Sequence, residues 1–184
     1  MVKIVTWNVK GLRSPHKRLM VLRHLKKLHA DIALLQEMHL GAIDFRRMKK
    51  LWVGEVIGSP SDGKKASVLI LLHKRLHYKI LTTDTDDSGR LATLTIETPA
   101  GKLSIYNVYA PNVQAGPFIG KLERLILQDS NNLVLIGGDL NMVHSVSEDR
   151  KRTRIGRADR QEESSILPTM LEATKLTDIW RHYS

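Results

Sequence analysis

The sequence predicts a layered α/β domain, and three observations carry that expectation. Apolar residues recur at helical spacing near both ends of the chain. The middle, from Val53 to Tyr109, is instead a series of β-branched and apolar runs separated by turn clusters. Three apolar runs also stop at polar groups: Val2–Trp7 at Asn8, Asp31–Leu35 at Gln36-Glu37, and Leu133–Gly138 at Asp139-Leu140-Asn141. Helices at both ends of a strand-rich middle pack most simply as layers around one core.

The first run, ending at Asn8, is expected to be a buried strand, and Lys10-Gly11-Leu12-Arg13 a loop. Ser14-Pro15 reads as an N-cap followed by proline in the first helical turn. The helix then runs to about Ala30, with Leu19, Leu22, Leu25 and Leu28 as its apolar face, helped by Met20 and Val21. A buried strand to Glu37 follows. Ile43 to Trp52 is expected to be a short helix with Phe45, Met48 and Leu51 or Trp52 inward.

Five strands are then expected: Val53–Ser59, Ala66–His73, His77–Thr83, Leu91–Thr98 and Leu103–Tyr109. Pro99-Ala100-Gly101-Lys102 joins the last two as a hairpin. Pro117 to Asp129 reads as a helix with Phe118, Leu122, Leu125 and Ile126 inward. A third buried strand ends at Asp139. Val143 to Gln161 reads as a polar, basic loop with a helical turn, and Glu162 to Thr174 as a last helix facing inward with Ile166, Leu167, Met170 and Leu171. No linker, repeat or low-complexity tract divides residues 1–184, so a single domain is expected.

Length and composition agree with that reading. A chain of 184 residues, 42% hydrophobic and 26% charged, has the make-up of a globular domain with a sizeable core. No apolar run approaches membrane-spanning length and no signal peptide is visible. With no cysteine, disulfides and thiolate metal sites are excluded. Charge is more informative. Lys and Arg total 29 against 19 acids, a net +10. Residues 1–30 hold eight basic residues and no acid, and residues 150–160 carry Arg150, Lys151, Arg152, Arg154, Arg157 and Arg160 against Asp159 alone. Two basic blocks on one domain suit a polyanionic partner, most simply nucleic acid; solvated faces beside a loop remain the alternative.

Asn8, Glu37, Asp139 and Asn141 are the candidate site residues. On an extended chain Asp139 and Asn141 point to the same side. Each residue has a plainer role open to it: Asp139 in a turn after Gly-Gly, Glu37 as a cap or half of an ion pair, Asn8 satisfying loop backbone. Together they are carboxylates and amides at strand ends, hard oxygen donors of the kind Mg²⁺ accepts, where α/β proteins place ligands. Tyr106-Asn107-Val108-Tyr109-Ala110-Pro111-Asn112 adds a phenol and an amide that can hydrogen-bond to phosphate. Trp7, Trp52 and Trp180 read as packing residues, and His39 and His144 as residues near the site in surface or supporting roles.

Trp7-Asn8-Val9-Lys10-Gly11, Leu35-Gln36-Glu37, Tyr109-Ala110-Pro111-Asn112 and Gly138-Asp139-Leu140-Asn141, in this order, resemble the exonuclease–endonuclease–phosphatase (DNase I-like) family. Within it, Gln36-Glu37-Met38-His39-Leu40, Ile105 to Asn112 and Asp149-Arg150-Lys151-Arg152 look like the endonuclease domain of a LINE-type (non-LTR) retrotransposon. The resemblance implies a four-layered α/β/β/α sandwich that nicks double-stranded DNA to prime reverse transcription. Its cofactor would be Mg²⁺, with Mn²⁺ as the substitute. Its partner would be a downstream reverse transcriptase domain of a parent polyprotein, its place of action nuclear, and no membrane is involved. By the same resemblance Glu37 binds the metal with Asn8 beside it, Asp139 activates water, Asn141 orients the water or the phosphate, Tyr109 and Asn112 hold phosphate oxygens, and Arg150 and Arg152 contact DNA phosphates.

The family also carries a histidine preceded by aspartate near its C-terminus. None of the eight histidines here follows an aspartate. The resemblance therefore implies a C-terminally incomplete domain lacking part of its second sheet. It leaves two further readings: a catalytically impaired, nucleic-acid-binding remnant, and a same-fold phosphatase acting on phospholipid or inositol phosphates.

Overall fold

A computed structural model describes residues 1–58, 60, 67–142 and 157–183. The chain forms two compact units, one of residues 1–109 with 132–139, the other of residues 110–131 with 140–184.

The first unit holds two four-stranded sheets. β1 (Ile4–Asn8), β2 (Ile32–Gln36), β3 (Gly54–Gly58) and β4 (Val68–His73) form one, in the order β1-β2-β4-β3. β1 and β2 are parallel, and the other pairs antiparallel. β5 (Lys79–Thr85), β6 (Leu91–Thr98), β7 (Gly101–Tyr109) and β8 (Leu133–Asp139) form the other, in sequence order, with only β7 and β8 parallel. Alternation along the central strands divides their side chains between two cores. Ala33, Leu35, Leu69 and Leu71 face α1 (Pro15–Lys27) and α2 (Ala42–Leu51), packing on Val21, Leu22, Leu25, Phe45 and Met48. Ile32, Leu34, Ile70 and Leu72 face the other way, onto Ala92, Leu94, Ile96 and Ile105 of the second sheet. β2 is buried along its whole length because it has strands on both edges and apolar layers on both faces.

Several expectations are corrected. β1 and β8 are not buried strands. Each is the outermost strand of its sheet among the described residues, and each leaves large apolar side chains exposed, Ile4 on β1 and Leu133 on β8. On α1 the inward face is Arg18, Val21, Leu22 and Leu25, while Leu19, Met20 and Leu28 are exposed. Steps of three from Leu19 drift off a 3.6-residue period, whereas 18, 21, 22 and 25 keep to one stripe. Arg18 is tolerated inside because its guanidinium donates to the Leu12 and Arg13 carbonyls and pairs with Asp44 at 3.0 Å. Ser14 caps α1 as expected, accepting from the Lys17 N–H, with Pro15 in the first turn. Trp52 is buried, but Trp7 is an outer residue, 36% exposed, with its ring edge-on to His24. The hairpin between β6 and β7 forms at residues 98–101, as the Pro-Ala-Gly cluster predicts.

In the second unit α3 (Gly116–Gln128) packs on α4 (Arg157–Thr174), and α5 (Ile179–Tyr183) follows. α3 buries Ile119, Leu122 and Ile126. Ile119 takes the place expected of Phe118, which like Leu125 is only half-buried. α4 starts at Arg157 rather than Glu162, so residues 157–161 of the segment expected to be a loop with a helical turn are helix. No helix among the described residues is long and apolar enough to cross a membrane.

Candidate active site

The four polar strand ends in the first unit converge. Asn8 closes β1, Glu37 follows β2, Tyr109 ends β7 and Asp139 ends β8. Asn8 pairs in register with Gln36, beside Glu37, and Tyr109 pairs with Asp139 across the parallel ladder. Within each sheet, residues far apart in sequence are thus placed side by side by backbone register.

Asn8 is the centre of the cluster. Its Nδ2 donates to Glu37 Oε1 at 2.9 Å and to Asp139 Oδ2 at 3.1 Å, so one amide holds two carboxylates. Its Oδ1 accepts from the Lys10 N–H at 3.1 Å. The expected metal ligand therefore turns its nitrogen, not its oxygen, toward the carboxylates; ligation through oxygen requires the opposite amide orientation. The Asn8 hydrogen bond is the main cause holding the Glu37 carboxyl below its ordinary value. Burial works against it, while the Tyr109 hydroxyl and the charges of His39 and Lys10 assist. Tyr109 responds in the opposite sense. Burial, its hydrogen bond to Glu37 and the neighbouring Glu37 and Asp139 charges push its phenol above the usual value, partly countered by Arg90. At neutral pH the site therefore holds an ionised Glu37 and a neutral phenol that donates to it.

The backbone around Glu37 is held in an uncommon conformation. Lys10, Glu37 and His39 all have left-handed φ, between 48° and 54°. Their neighbours lock them: the Gly11 N–H donates to the Glu37 carbonyl, Leu12 N–H to Met38, Met38 N–H to Ser67, and His39 N–H to Ser67 Oγ. Such conformations cost of order 1–3 kcal/mol each and persist where surrounding structure fixes them. Met38, between them, is an apolar residue for a physical reason, being buried in the core beneath α1 and α2.

β8 reaches the cluster through two glycines. A Cβ on Gly138, at φ 141°, would lie 1.9 Å from the Val108 carbonyl oxygen. A Cβ on Gly137 would lie 2.4 Å from Leu34 Cδ1. Gly-Gly is thus part of a strand that runs close to both its neighbour and the facing sheet, and not a turn. The extended chain ends there. Asn141 has φ 49°, so the expectation that Asp139 and Asn141 share one side of a strand is corrected. In the second unit Asn141 Nδ2 donates to the Ala110 carbonyl at 2.7 Å, and Asn112 is exposed after Pro111. Arg150, Arg152 and His144 lie outside the described residues.

One neighbour was not expected from the sequence. The Arg90 guanidinium lies over the Tyr109 ring, 5.4 Å from its centroid, and its Nη1 donates to the Tyr109 carbonyl at 3.1 Å. Its signal was only a basic residue after the Asp84–Gly89 turn, whose Asp86 Oδ1 accepts from the Arg90 and Leu91 N–H groups. His39 is near enough to lower the Glu37 pKa, in keeping with a supporting role beside the site. Among the described residues no three carboxylates or imidazoles converge on one point. The chemistry on offer is two adjacent carboxylates bridged by an amide, a phenol, and cationic side chains around them. It suits charge neutralisation and proton acceptance at an anionic substrate.

Comparison with known proteins gives this cluster its context. A curated relative, an exodeoxyribonuclease of Bacillus subtilis (strain 168), is 28% identical over 211 aligned residues, covering 98% of this chain and 75% of the relative. Among solved structures, the AP endonuclease LMAP from Leishmania major matches with a TM-score of 0.73 and 18% identity, over 99% of this chain and 69% of that one. D. rerio TDP2 complexed with single-strand DNA product matches with a TM-score of 0.58 and 21% identity, over 77% of this chain and 61% of that one. These likenesses show the fold, the DNase I-like α/β arrangement that the sequence resemblance implies. The model of the Endonuclease/Exonuclease/phosphatase family matches residues 5–184, nearly the whole chain, and the protein belongs to that family.

Proposed function

We propose that this protein is a divalent-metal-dependent endonuclease that hydrolyses one phosphodiester of double-stranded DNA. The observation that carries the reading is Asn8 holding Glu37 and Asp139 together, with the Tyr109 phenol on Glu37. The donor set fits Mg²⁺, with Mn²⁺ as a substitute: two carboxylates and an amide are hard ligands, and Mg²⁺ needs only one or two carboxylates because it keeps several waters. Glu37, ionised at neutral pH, would be the principal protein ligand, with Asn8 beside it. Bound there, the cation neutralises charge on the phosphate and polarises it.

The remaining work belongs to the chain. Asp139 accepts the proton of the attacking water, and Asn141 orients that water or the phosphate. Tyr109 and Asn112 hydrogen-bond to phosphate oxygens. Arg150, Arg152 and the basic N-terminal block neutralise flanking phosphates. DNA as substrate is supported by the relatives, an exodeoxyribonuclease, an AP endonuclease and a TDP2 solved with DNA product, and by the net charge of +10. Cleavage that leaves a 3′-hydroxyl would suit priming of reverse transcription. The LINE-like runs from Gln36 to Leu40, Ile105 to Asn112 and Asp149 to Arg152 favour a retrotransposon origin, a downstream reverse transcriptase partner and action in the nucleus. We also read residues 1–184 as one domain.

A nicking assay on supercoiled plasmid tests the reading. The protein should relax the plasmid with Mg²⁺ and lose that activity in EDTA and in Asp139→Ala. Nicking that survives Asp139→Ala removes Asp139 as the proton acceptor. A second reading is a catalytically impaired, nucleic-acid-binding remnant of such a domain. DNA binding without nicking at any Mg²⁺ concentration would establish the remnant. Hydrolysis of a phosphoinositide in preference to plasmid would instead move the substrate to lipid phosphates.

A further inference from the structure

Behind the carboxylate cluster, two fully buried amides join the sheets. Asn107 on β7 reaches across the space between them. Its Nδ2 donates to the Leu35 carbonyl of β2 at 3.0 Å and to the Leu69 carbonyl of β4 at 2.7 Å. Its Oδ1 accepts from Gln36 Nε2 at 2.7 Å. The same Gln36 nitrogen also donates to the Leu34 carbonyl at 2.9 Å and approaches Thr6 Oγ1 of β1 at 3.3 Å. Gln36 is 1% and Asn107 0% exposed. Four strands from two sheets are therefore tied by two side chains.

The position of this bridge relative to the site is systematic. Thr6 is two residues before Asn8 and points to the same side of β1. Gln36 directly precedes Glu37. Asn107 is two residues before Tyr109 and points to the same side of β7. Each of these three site residues lies one or two positions beyond a member of the bridge. Apolar contacts between facing sheets are non-directional and accept small slides. A buried amide pair does not, because its donors meet carbonyls in one register only, and an unmet buried amide is strongly disfavoured.

We propose that the Gln36–Asn107 bridge is a positioning device, fixing the register of the two sheets so that Tyr109 from one meets Glu37 from the other. The proposal rests on the nuclease reading above for its effect on rate, but not for its effect on geometry. Gln36 and Asn107 touch no substrate. They act through Glu37, whose left-handed backbone begins at the Gln36 peptide, and through Tyr109. Outer-shell groups that orient metal-site ligands typically change activity by about 10–100-fold when removed.

Two near-isosteric variants test the bridge, Asn107→Leu and Gln36→Met. The second keeps both Asn107 bonds to the β2 and β4 carbonyls and is the milder. Each is first checked for a cooperative thermal melt. Asn107→Leu is set aside if it does not fold, and Gln36→Met then decides alone. In a folded variant, assayed well below its Tm, kcat for plasmid nicking should fall about 10–100-fold with KM for DNA unchanged. A group that merely stabilises the fold would leave kcat alone.

The second readout needs no activity. Tyrosine labelled with ¹³C at Cζ, with Tyr109→Phe to assign the signal, reports the surroundings of the Tyr109 ring through its chemical shift at one fixed pH. That signal should move in Gln36→Met as the two sheets lose their fixed register. A folded Gln36→Met protein with unchanged kcat and an unmoved Tyr109 signal overturns the proposal. If the parent protein does not nick DNA, the nuclease reading fails by itself, and the Tyr109 signal alone decides the bridge. A moved signal then supports the bridge, and an unmoved one overturns it.

Discussion

Glu37 and Asp139 share a hydrogen-bond donor in Asn8, yet the two strand ends that present them are built in opposite ways. β2 is central and buried throughout, and Gln36, Ser67, Gly11 and Leu12 lock the chain just around Glu37. β8 is the outermost described strand of its sheet and half-exposed, and it approaches the site on two glycines before the chain turns left-handed at Asn141. A ligand that must stay put belongs on the first kind of element, because a rigid carboxylate needs no reorganisation when charge arrives. A group that must take and release a proton tolerates the second. Under the nuclease reading proposed above, the contrast favours Glu37 as the metal holder and Asp139 as the proton acceptor.

The sharpest way to break that contrast is to remove each carboxylate separately. Asp139→Asn should lower kcat for nicking by about 10²–10⁴-fold, the range for a general base, while the Mg²⁺ concentration giving half-maximal rate stays the same. Glu37→Gln should instead raise that concentration by about 10–100-fold. A Mg²⁺ titration of nicking rates for the two proteins distinguishes them. Equal shifts in metal requirement for both would mean the carboxylates share the cation and the division of labour fails.

The glycines of β8 offer the next largest effect. Gly138→Ala places a Cβ against the fixed Val108 carbonyl at a φ that alanine rarely adopts. Gly137→Ala meets only Leu34 Cδ1, the end of a side chain that can turn aside. Backbone strain of this kind amounts to about 1–3 kcal/mol. Chemical denaturation should therefore show Gly138→Ala losing about that much and Gly137→Ala less. The reverse order would mean that the sheets are packed more rigidly against each other than β8 is against β7.

The same contrast explains how much could be read beforehand. Glu37, Asp139, Asn8 and Tyr109 were legible because each ends a run of apolar, β-forming residues, a local signal. β2 was equally legible as buried, being apolar without a break. β1 and β8 look alike in sequence but lie outermost, and nothing local records which strands a third will pair with. Gln36 was legible as a polar stop to its run, but its partner Asn107 was hidden for a related reason. Inside an apolar run a single amide reads as a tolerated polar residue, and only the facing sheet reveals the carbonyls it meets. Arg18 inverts the helix pattern in the same way, since the carbonyls that satisfy it come from a loop. Arg90 sits in a turn cluster whose composition predicts a turn and says nothing of the tyrosine ring beside it. Asn141 was misread because a strand was assumed to continue through Asn141, where the backbone turns left-handed.

Asn8→Ala probes the one group common to both carboxylates, and its effect is the smallest of the three and the most dependent on pH. The Asn8 hydrogen bond is the largest influence lowering the Glu37 pKa from its ordinary 4.5. A carboxyl whose folded pKa is depressed contributes stability that is fully present above its unfolded value and is lost as pH falls through the folded one. Removing Asn8 lets the folded value rise, so the parent protein's advantage should be widest at neutral pH and shrink as pH drops below 4.5. A hydrogen bond to a charged group contributes about 1.5–3 kcal/mol, less at a half-exposed site, so a difference of about 1 kcal/mol is expected at neutral pH. Urea denaturation of the two proteins at neutral pH and at roughly pH 3 measures both ends of that window. If the gap is the same at both, Asn8 acts on Glu37 by packing alone, and the ionised carboxylate gains nothing from the amide that faces it.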